Sequence, residues 1–249
     1  MARDWDATTY ERLSQPLAQM GRDVLARLEL DGDETVLDAG CGTGKVTAAL
    51  LERLPNGRVI AVDAAPSMVE EARQRLPDSV DVRQADLLDL EIEPVDAILS
   101  TATFHWIADH DGLFANLLHA LKPGGRLVAQ CGGKGNVAAI KNAGFTVAGR
   151  EPFAEHLSDW PGDWHFASPQ DTEARLLKLG FTDVWCWRSE VTVEPDDAAG
   201  YLGAICCGSF LERLPEELHE DFVEQVVAEL PEPVVLEYVR LNILARRPF

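Results

Sequence analysis

Lysine is scarce in this 249-residue chain, which has five lysines among its 22 basic residues against 42 acidic residues. The resulting formal net charge of −20 repels phosphate backbones at long range, so nucleic acid is not expected as a substrate or partner. Long apolar runs are missing as well, and the first six residues lack the basic and then apolar layout of a signal peptide. We therefore expect a cytoplasmic protein without a membrane segment.

The five cysteines follow no metal-ligand pattern. Their number is odd and no pair has the spacing of a zinc site, which is typical of reduced thiols in a cytosol and predicts no metal centre. Adjacent Cys206 and Cys207 are interpreted as small apolar packing residues. A composition with 46% hydrophobic and 7% aromatic residues indicates a globular protein rather than a disordered one.

The central motif is the run Val36–Gly44, Val-Leu-Asp-Ala-Gly-Cys-Gly-Thr-Gly. Its apolar start indicates a buried parallel strand, its glycines a tight turn, and Lys45–Leu54 a helix. Glycine lets the backbone approach a ligand closely and adopt positive φ without a Cβ clash. The unit therefore presents bare backbone amides, at a helix N-terminus, to something bound above the sheet.

The residue spacing of this loop does not match two common nucleotide-binding motifs. A dinucleotide fingerprint counted from Gly40 requires a third glycine at position 45, which is Lys45. A phosphate-binding P-loop requires four residues between its glycines, but Gly40 and Gly44 enclose three, and Val46 stands where that motif needs serine or threonine. A nicotinamide-dependent oxidoreductase is therefore disfavoured.

A carboxylate ends the next predicted strand. The apolar run Val59–Val62 leads to Asp63, which lies 23 positions past Gly40. A carboxylate in that place can accept both ribose hydroxyls of an adenosyl ligand, with helix capping as the alternative role. Met68, in the first turn of the following helix, is predicted to pack either on an adenine face or in the core.

Aromatic residues follow the strand Val95–Ser100, where open α/β sheets bind ligands. His105 is the histidine best placed to contact a substrate, either as a base or as an orienting imidazole. Trp106 is expected to pack under the site. Tyr10, upstream of the first strand, is a candidate for folding over a bound cofactor or for ordinary packing.

The alternation of strands and helices predicts a single α/β domain over residues 1–249. We expect a seven-stranded, mostly parallel, Rossmann-like sheet with helices on both faces. Three segments are expected to cover the site, namely an N-terminal helical cap at 1–30 and caps at 132–168 and 192–232. Tryptophans and prolines interleave in the second of these, which is typical of an ordered lid.

The pattern Asp-x-Gly-x-Gly-x-Gly, followed by Asp63, resembles the signature of class I S-adenosylmethionine-dependent methyltransferases. Nearly the whole chain is similar to the trans-aconitate and malonyl carrier-protein methyltransferase-like group, with further shared landmarks at Trp5, Phe104–Trp106 and Leu121–Gly125. The resemblance implies an S-adenosylmethionine cofactor whose methionyl part is held by Gly40, Gly42 and Gly44, whose ribose is held by Asp63, and whose adenine is held by Asp86 and Leu87. The predicted cofactor site also includes Asp38, Ala64, Met68 and Thr101.

The expected reaction is methyl transfer to a small molecule or a carrier-linked acyl group, with a carboxylate O-methylation as one form. A carboxylate is ionised at pH 7 and needs no base, but it needs a cation to hold it. Lys134, Arg150 and Arg188 are candidate cations by region, and the predicted substrate-binding residues are Trp106, Lys134, Trp160 and Trp164. Because the sequence shows no cation cluster, an uncharged or monoanionic acceptor is expected as readily as a tricarboxylate. The alternatives are an inactive cofactor-binding module and, less favoured, an NAD-dependent oxidoreductase.

Overall fold

The computed structural model describes residues 15–249, which form a seven-stranded sheet with helices packed on it. The strand order is β3-β2-β1-β4-β5-β7-β6. The strands are β1 (Thr35–Ala39), β2 (Arg58–Asp63), β3 (Asp81–Gln84), β4 (Val95–Thr101), β5 (Leu121–Gly132), β6 (Thr182–Val193) and β7 (Leu236–Arg246). Trp5 and Tyr10 lie outside the described residues, so their predicted roles stay predictions.

The first five strands are parallel, as the apolar β1 and β2 runs predict. Val36 of β1 is in register with Val59 of β2 on one side and with Ala97 of β4 on the other. Strand β7 runs antiparallel between β5 and β6, and it places Arg240 opposite Gly132. This arrangement confirms the predicted mostly parallel sheet, with one reversed strand.

Helices connect the strands and supply the segments that reach over the sheet. They are α1 (Gln15–Leu25), α2 (Lys45–Glu52), α3 (Pro66–Arg75), α4 (His110–Ala120), α5 (Ala138–Ala148), α6 (Ala154–Leu157), α7 (Pro169–Leu179), α8 (Ala198–Tyr201), α9 (Gly208–Leu211) and α10 (His219–Ala228). A π-helical turn spans Leu202–Cys206, and 3-10 turns span Leu87–Asp89, Phe104–Trp106 and Glu216–Leu218. None of the helices in residues 15–249 combines the length and the apolarity needed to cross a membrane.

Helix boundaries follow the expected signals at several points. Pro66 opens α3, and the Ser168 hydroxyl accepts a hydrogen bond from the Asp171 amide at the start of α7. The apolar pattern of Leu113–Leu121, followed by Pro123, Gly124 and Gly125, predicts a helix that ends at Leu121, and α4 ends one residue earlier, at Ala120. Leu121 already belongs to β5, which pairs with β4 through an irregular register at this point. Tertiary strand pairing therefore overrides the local stop signal of the glycines that follow.

The core lies on both faces of the sheet. One cluster packs α4 and α7 against one face through side chains such as Phe104, Phe114 and Leu176. A second packs α1, α2 and α3 against the other, and a third lies beneath the segments after β5 and β6, around Phe210 and Phe222. That third cluster anchors the segments over the end of the sheet where the polypeptide leaves β4 and β5.

Candidate active site

A cavity of about 1020 Å³ lies where β1, β2 and β4 end. This volume is at the top of the range of ~300–1000 Å³ usual for ligand pockets. One half is lined by the loops after these strands, and the other by residues 136–141, 162–166, 205–213 and 238–240. The cavity therefore has room for a cofactor over the sheet and a second molecule under the covering segments.

Eight of the ten predicted cofactor residues line this cavity, namely Gly40, Gly42, Asp63, Ala64, Met68, Asp86, Leu87 and Thr101. The glycine loop needs its glycines for two different reasons. A Cβ on Gly40, at φ +84°, would lie 2.0 Å from Oγ1 of Thr103, whereas a Cβ on Gly42, at φ +54°, would have no protein atom within 4 Å. Gly40 is thus required by packing, while Gly42 leaves its open side toward the cavity.

Asp63 lies where either of the two roles considered for it is open to it. Its Oδ2 accepts a hydrogen bond from the Gly42 amide and its Oδ1 one from the Ala65 amide, both at 2.9 Å. The carboxylate thus ties the glycine loop to the start of α3 while it lines the cavity. Burial raises the pKa of Asp63, and the backbone hydrogen bonds oppose that rise. Each oxygen retains acceptor capacity for a ribose hydroxyl.

Asp86 has a similar double position. Its Oδ1 accepts from the Leu88 amide at 2.9 Å, which caps the short 3-10 turn, and its side chain also lines the cavity. Capping and ligand contact are compatible here because a carboxylate has four lone-pair sites.

Asp38 and Gly44 do not line the cavity. Asp38 is 1% exposed, and its Oδ2 accepts a hydrogen bond of 2.6 Å from the Thr47 hydroxyl, while its Oδ1 has no partner among residues 15–249. Burial raises the pKa of Asp38 to about 6. Gly44 begins α2 with φ +80° and faces Leu76. The two residues lie beneath the loop, where they can shape it without touching a ligand.

The loop after β4 brings His105 to the centre of the cavity. The ring is 7% exposed, and its Nδ1 accepts a hydrogen bond of 3.2 Å from the Gly132 amide. In a neutral imidazole the other nitrogen, Nε2, then carries the proton. Burial lowers the pKa of His105 well below its ordinary value, and the charges of Arg240 and His110 add to that effect. The hydrogen bond at Nδ1 leaves Nε2–H as the donor of a neutral ring, which favours the orienting role considered for His105 over that of a base.

Three cations line the second half of the cavity, Lys141, Arg213 and Arg240. Arg240 is 3% exposed, and its Nε donates to Oε1 of Gln130 at 3.3 Å. Arg213 lies 4.3 Å from the centroid of the Trp160 ring and pairs with Asp163 at 3.2 Å. No local pattern in the sequence indicates this group, because its members stand 27 to 99 positions apart.

The cations proposed from sequence lie elsewhere. Lys134 is exposed and its backbone amide donates to Ala167 O at 2.9 Å, Arg150 pairs with Glu229, and Arg188 pairs with Glu190. None of the three lines the cavity.

Two of the three predicted tryptophans line the cavity, and the third does not. Trp106 and Trp164 line the cavity, with ring centroids 6.4 Å apart. Trp160 packs behind the wall against Phe210 and donates from Nε1 to Asp163 at 3.0 Å. The amide of His165 donates to the carbonyl of His105 at 2.8 Å, which attaches the covering loop to the centre of the site.

The cofactor half has the features that an adenosyl ligand needs: an open glycine loop, a carboxylate at the end of β2 and a second one after β3. Residues 36–125 match the family model described as a methyltransferase domain. The fold, the loop and the two carboxylates define a class I S-adenosylmethionine-dependent methyltransferase.

Proteins with similar sequences identify the family more closely. The trans-aconitate 2-methyltransferase of Methylobacterium nodulans is 32% identical over 98% of this chain and 98% of its own length. That of an Azoarcus species is 43% identical over 127 residues, which are 51% of this chain and 50% of the relative. The chain belongs to the S-adenosylmethionine-dependent methyltransferase family that includes these proteins.

Solved structures share the fold at low sequence identity. The YcgJ protein of Bacillus subtilis aligns with a TM-score of 0.68 and 16% identity over 93% of this chain and 99% of its own. Phosphoethanolamine N-methyltransferase 2 of Haemonchus contortus, in complex with S-adenosyl-L-methionine, aligns with a TM-score of 0.64 and 20% identity over 98% of this chain and 57% of its own. Neither of the alternative functions considered from sequence gains support from these comparisons.

Proposed function

We propose that the protein transfers the methyl group of S-adenosylmethionine to a carboxylate oxygen of a small molecule and forms a methyl ester. The observation that carries this proposal is the buried guanidinium of Arg240, which lines the cavity together with His105. A guanidinium matches a carboxylate in charge and geometry. The trans-aconitate 2-methyltransferases among the relatives support an acid as acceptor.

The residues of the cavity divide into a cofactor group and an acceptor group. We propose that Gly40 and Gly42 contact the methionyl part, that Asp63 accepts from the ribose, and that Asp86, Leu87 and Met68 surround the adenine. The cofactor supplies a methyl group that its sulfonium already activates. Asp38 and Gly44 support the loop, Ala64 and Thr101 complete the wall, and Tyr10 stays a candidate cover.

The protein's own contribution is placement and exclusion of water. An ionised carboxylate needs no base, so a neutral His105 that donates from Nε2 suits the reaction. Arg240 and His105 would hold the acceptor while Trp106 and Trp164 keep the cavity dry, which favours close approach of the reacting atoms. Both tryptophans line the wall beside the donor groups.

We also infer that residues 1–249 act as one domain, with segments 132–168 and 192–232 covering the acceptor. Residues from both segments line the same cavity as the sheet loops, which supports this organisation. A cytoplasmic location is proposed because all five cysteines are free thiols.

The test is a transfer assay with methyl-labelled S-adenosylmethionine and a panel of acceptors. The panel contains trans-aconitate, other dicarboxylic and monocarboxylic acids, a carrier-linked malonyl group, phenols and amines. We expect label in an acid-derived product that mild alkali releases as methanol. Transfer only to phenols or amines, in alkali-stable form, would refute the proposal.

Absence of transfer to every acceptor, together with binding of S-adenosylhomocysteine, would instead indicate an inactive binding module. Binding is read as thermal stabilisation, because a ligand at ~100 times its Kd adds ~2.7 kcal/mol to the free energy of unfolding.

A further inference from the structure

Lys141 is a half-buried cation that lines the cavity from helix α5. Its Nζ lies 5.0 Å from the centroid of the Trp164 ring and 5.0 Å from that of the Phe166 ring. Within residues 15–249, no carboxylate oxygen lies within 4.0 Å of this nitrogen and no hydrogen-bond acceptor is in reach. Among the described residues, the ammonium therefore has aromatic faces around it and no anion.

This arrangement leaves the charge of Lys141 incompletely compensated. Ring faces attract a cation, but they do not replace the hydrogen bonds of water or a carboxylate. Burial accordingly lowers the pKa of Lys141, and no acid in the part of the chain that the structure describes counteracts the change. An anion that entered the cavity would supply the missing partner.

Phe166 connects Lys141 to the proposed reaction centre. Its ring stacks on His105 with a centroid distance of 5.6 Å and an angle of 29° between the planes. Lys141 and His105 thus contact the same ring and line the same cavity. A small acceptor held at His105 and Arg240 could reach Lys141 with another part of its structure.

Two other charged residues of the cavity wall, Arg213 and Asp109, have partners of their own. Arg213 is paired with Asp163, and Asp109 caps helix α4 by accepting a hydrogen bond from the Gly112 amide at 2.9 Å. Arg240 is the cation that we assign to the methylated carboxylate. Of the three cavity cations in residues 15–249, Lys141 is the one left for a second group.

We propose that Lys141 binds a second anionic group of the acceptor, remote from the carboxylate that is methylated. The enzyme then selects compact dianions, whose middle part packs on Phe166, over monoanions of similar size. This inference rests on the proposed ester formation. The competing role for Lys141 is a structural brace, in which its contacts with Trp164 and Phe166 only hold the covering loop.

The experiment compares Lys141→Met with the wild-type protein on a dicarboxylic acceptor and on the matched monocarboxylate that has a methyl group in place of the second acid. Loss of a charged hydrogen bond is expected to raise the KM of the dicarboxylate by roughly tenfold or more. We expect an unchanged KM for the monocarboxylate and kcat values within about twofold. Lys141→Arg should restore much of the preference, because it keeps the charge.

Two further measurements separate binding from folding. Calorimetric titration of the dicarboxylate into the complex with S-adenosylhomocysteine should show the same loss of affinity for Lys141→Met. Lys178→Met is the matched control, because Lys178 is an exposed helical lysine of α7 that does not line this cavity, and its kinetics should equal those of the wild type.

An equal loss for both acceptors in Lys141→Met, or lower thermal stability with unchanged selectivity, would overturn the inference in favour of the brace. A wild-type enzyme that does not distinguish the two acids would overturn it as well. Failure of the proposed function is distinguishable, because it would appear as the absence of alkali-labile methyl ester in the wild-type assay.

Discussion

Replacing Asp38 by asparagine should make the stability of the cofactor-free protein less dependent on pH. Asp38 is 1% exposed, and burial raises its pKa from 3.8 to about 6. The folded protein thus binds more protons than the unfolded chain between these values, so this group stabilises the fold less as pH rises through that window. A pKa rise of this size lowers the free energy of unfolding by about 3 kcal/mol, and the full effect is present above pH ~6.

The substitution Asp38→Asn removes that titration. The free energy of unfolding of the variant minus that of the wild type should therefore increase with pH, by roughly 1–2 kcal/mol between pH 5 and pH 8. Urea unfolding at pH 5 and at pH 8 measures this difference in the free energy of unfolding. Any effect of the asparagine amide on packing that does not depend on pH cancels in the comparison. Thr47→Val should move the transition of Asp38 to higher pH, because the Thr47 hydroxyl stabilises the ionised form. A difference that stays constant or falls as pH rises would refute the reasoning.

Three further outcomes follow from the site. The Gly42→Ala variant should fold but should no longer be stabilised by S-adenosylhomocysteine in a melting assay, because the new Cβ would enter the cofactor half of the cavity. Gly180 also has a positive φ and open space around it, but it lies outside the cavity. The Gly180→Ala variant should therefore still be stabilised by the ligand in the same assay. The kcat/KM of the wild type should stay flat from pH 6 to pH 8, since burial lowers the pKa of His105 well below its ordinary value, and a limb near pH 6.5 that His105→Gln abolished would contradict a neutral donor. Asp163→Asn breaks the ion pair with Arg213 and should speed proteolysis within residues 158–168. The free energy of unfolding should fall by about 1 kcal/mol or less, because both side chains are partly exposed. An unchanged cleavage rate would mean that this ion pair does not hold the segment in place.

The cofactor half was predictable because its information is local. A strand, a turn and a carboxylate follow one another within Val36–Asp63, and parallel pairing brings the ends of β1 and β2 together without further specification. Spacing alone excluded two other nucleotide motifs.

The acceptor half was not predictable in this way, because its charges come together through long-range pairing. Arg240 reaches the cavity since β7 runs antiparallel to β5 and sets Arg240 opposite Gly132, whose amide fixes the tautomer of His105. The sequence does not reveal that contact because the two residues are far apart along the chain. Exposed lysines and arginines in the covering segments therefore look, from sequence, like better candidates for binding the acceptor. One signal was available for the role proposed for Lys141: it is the only charged residue of α5, and a half-buried ammonium is costly unless something binds it. If Lys141 binds the acceptor as proposed, a lone cation on an otherwise uncharged helix that lines the cavity is a stronger indication of an anionic substrate than several charges on a surface segment.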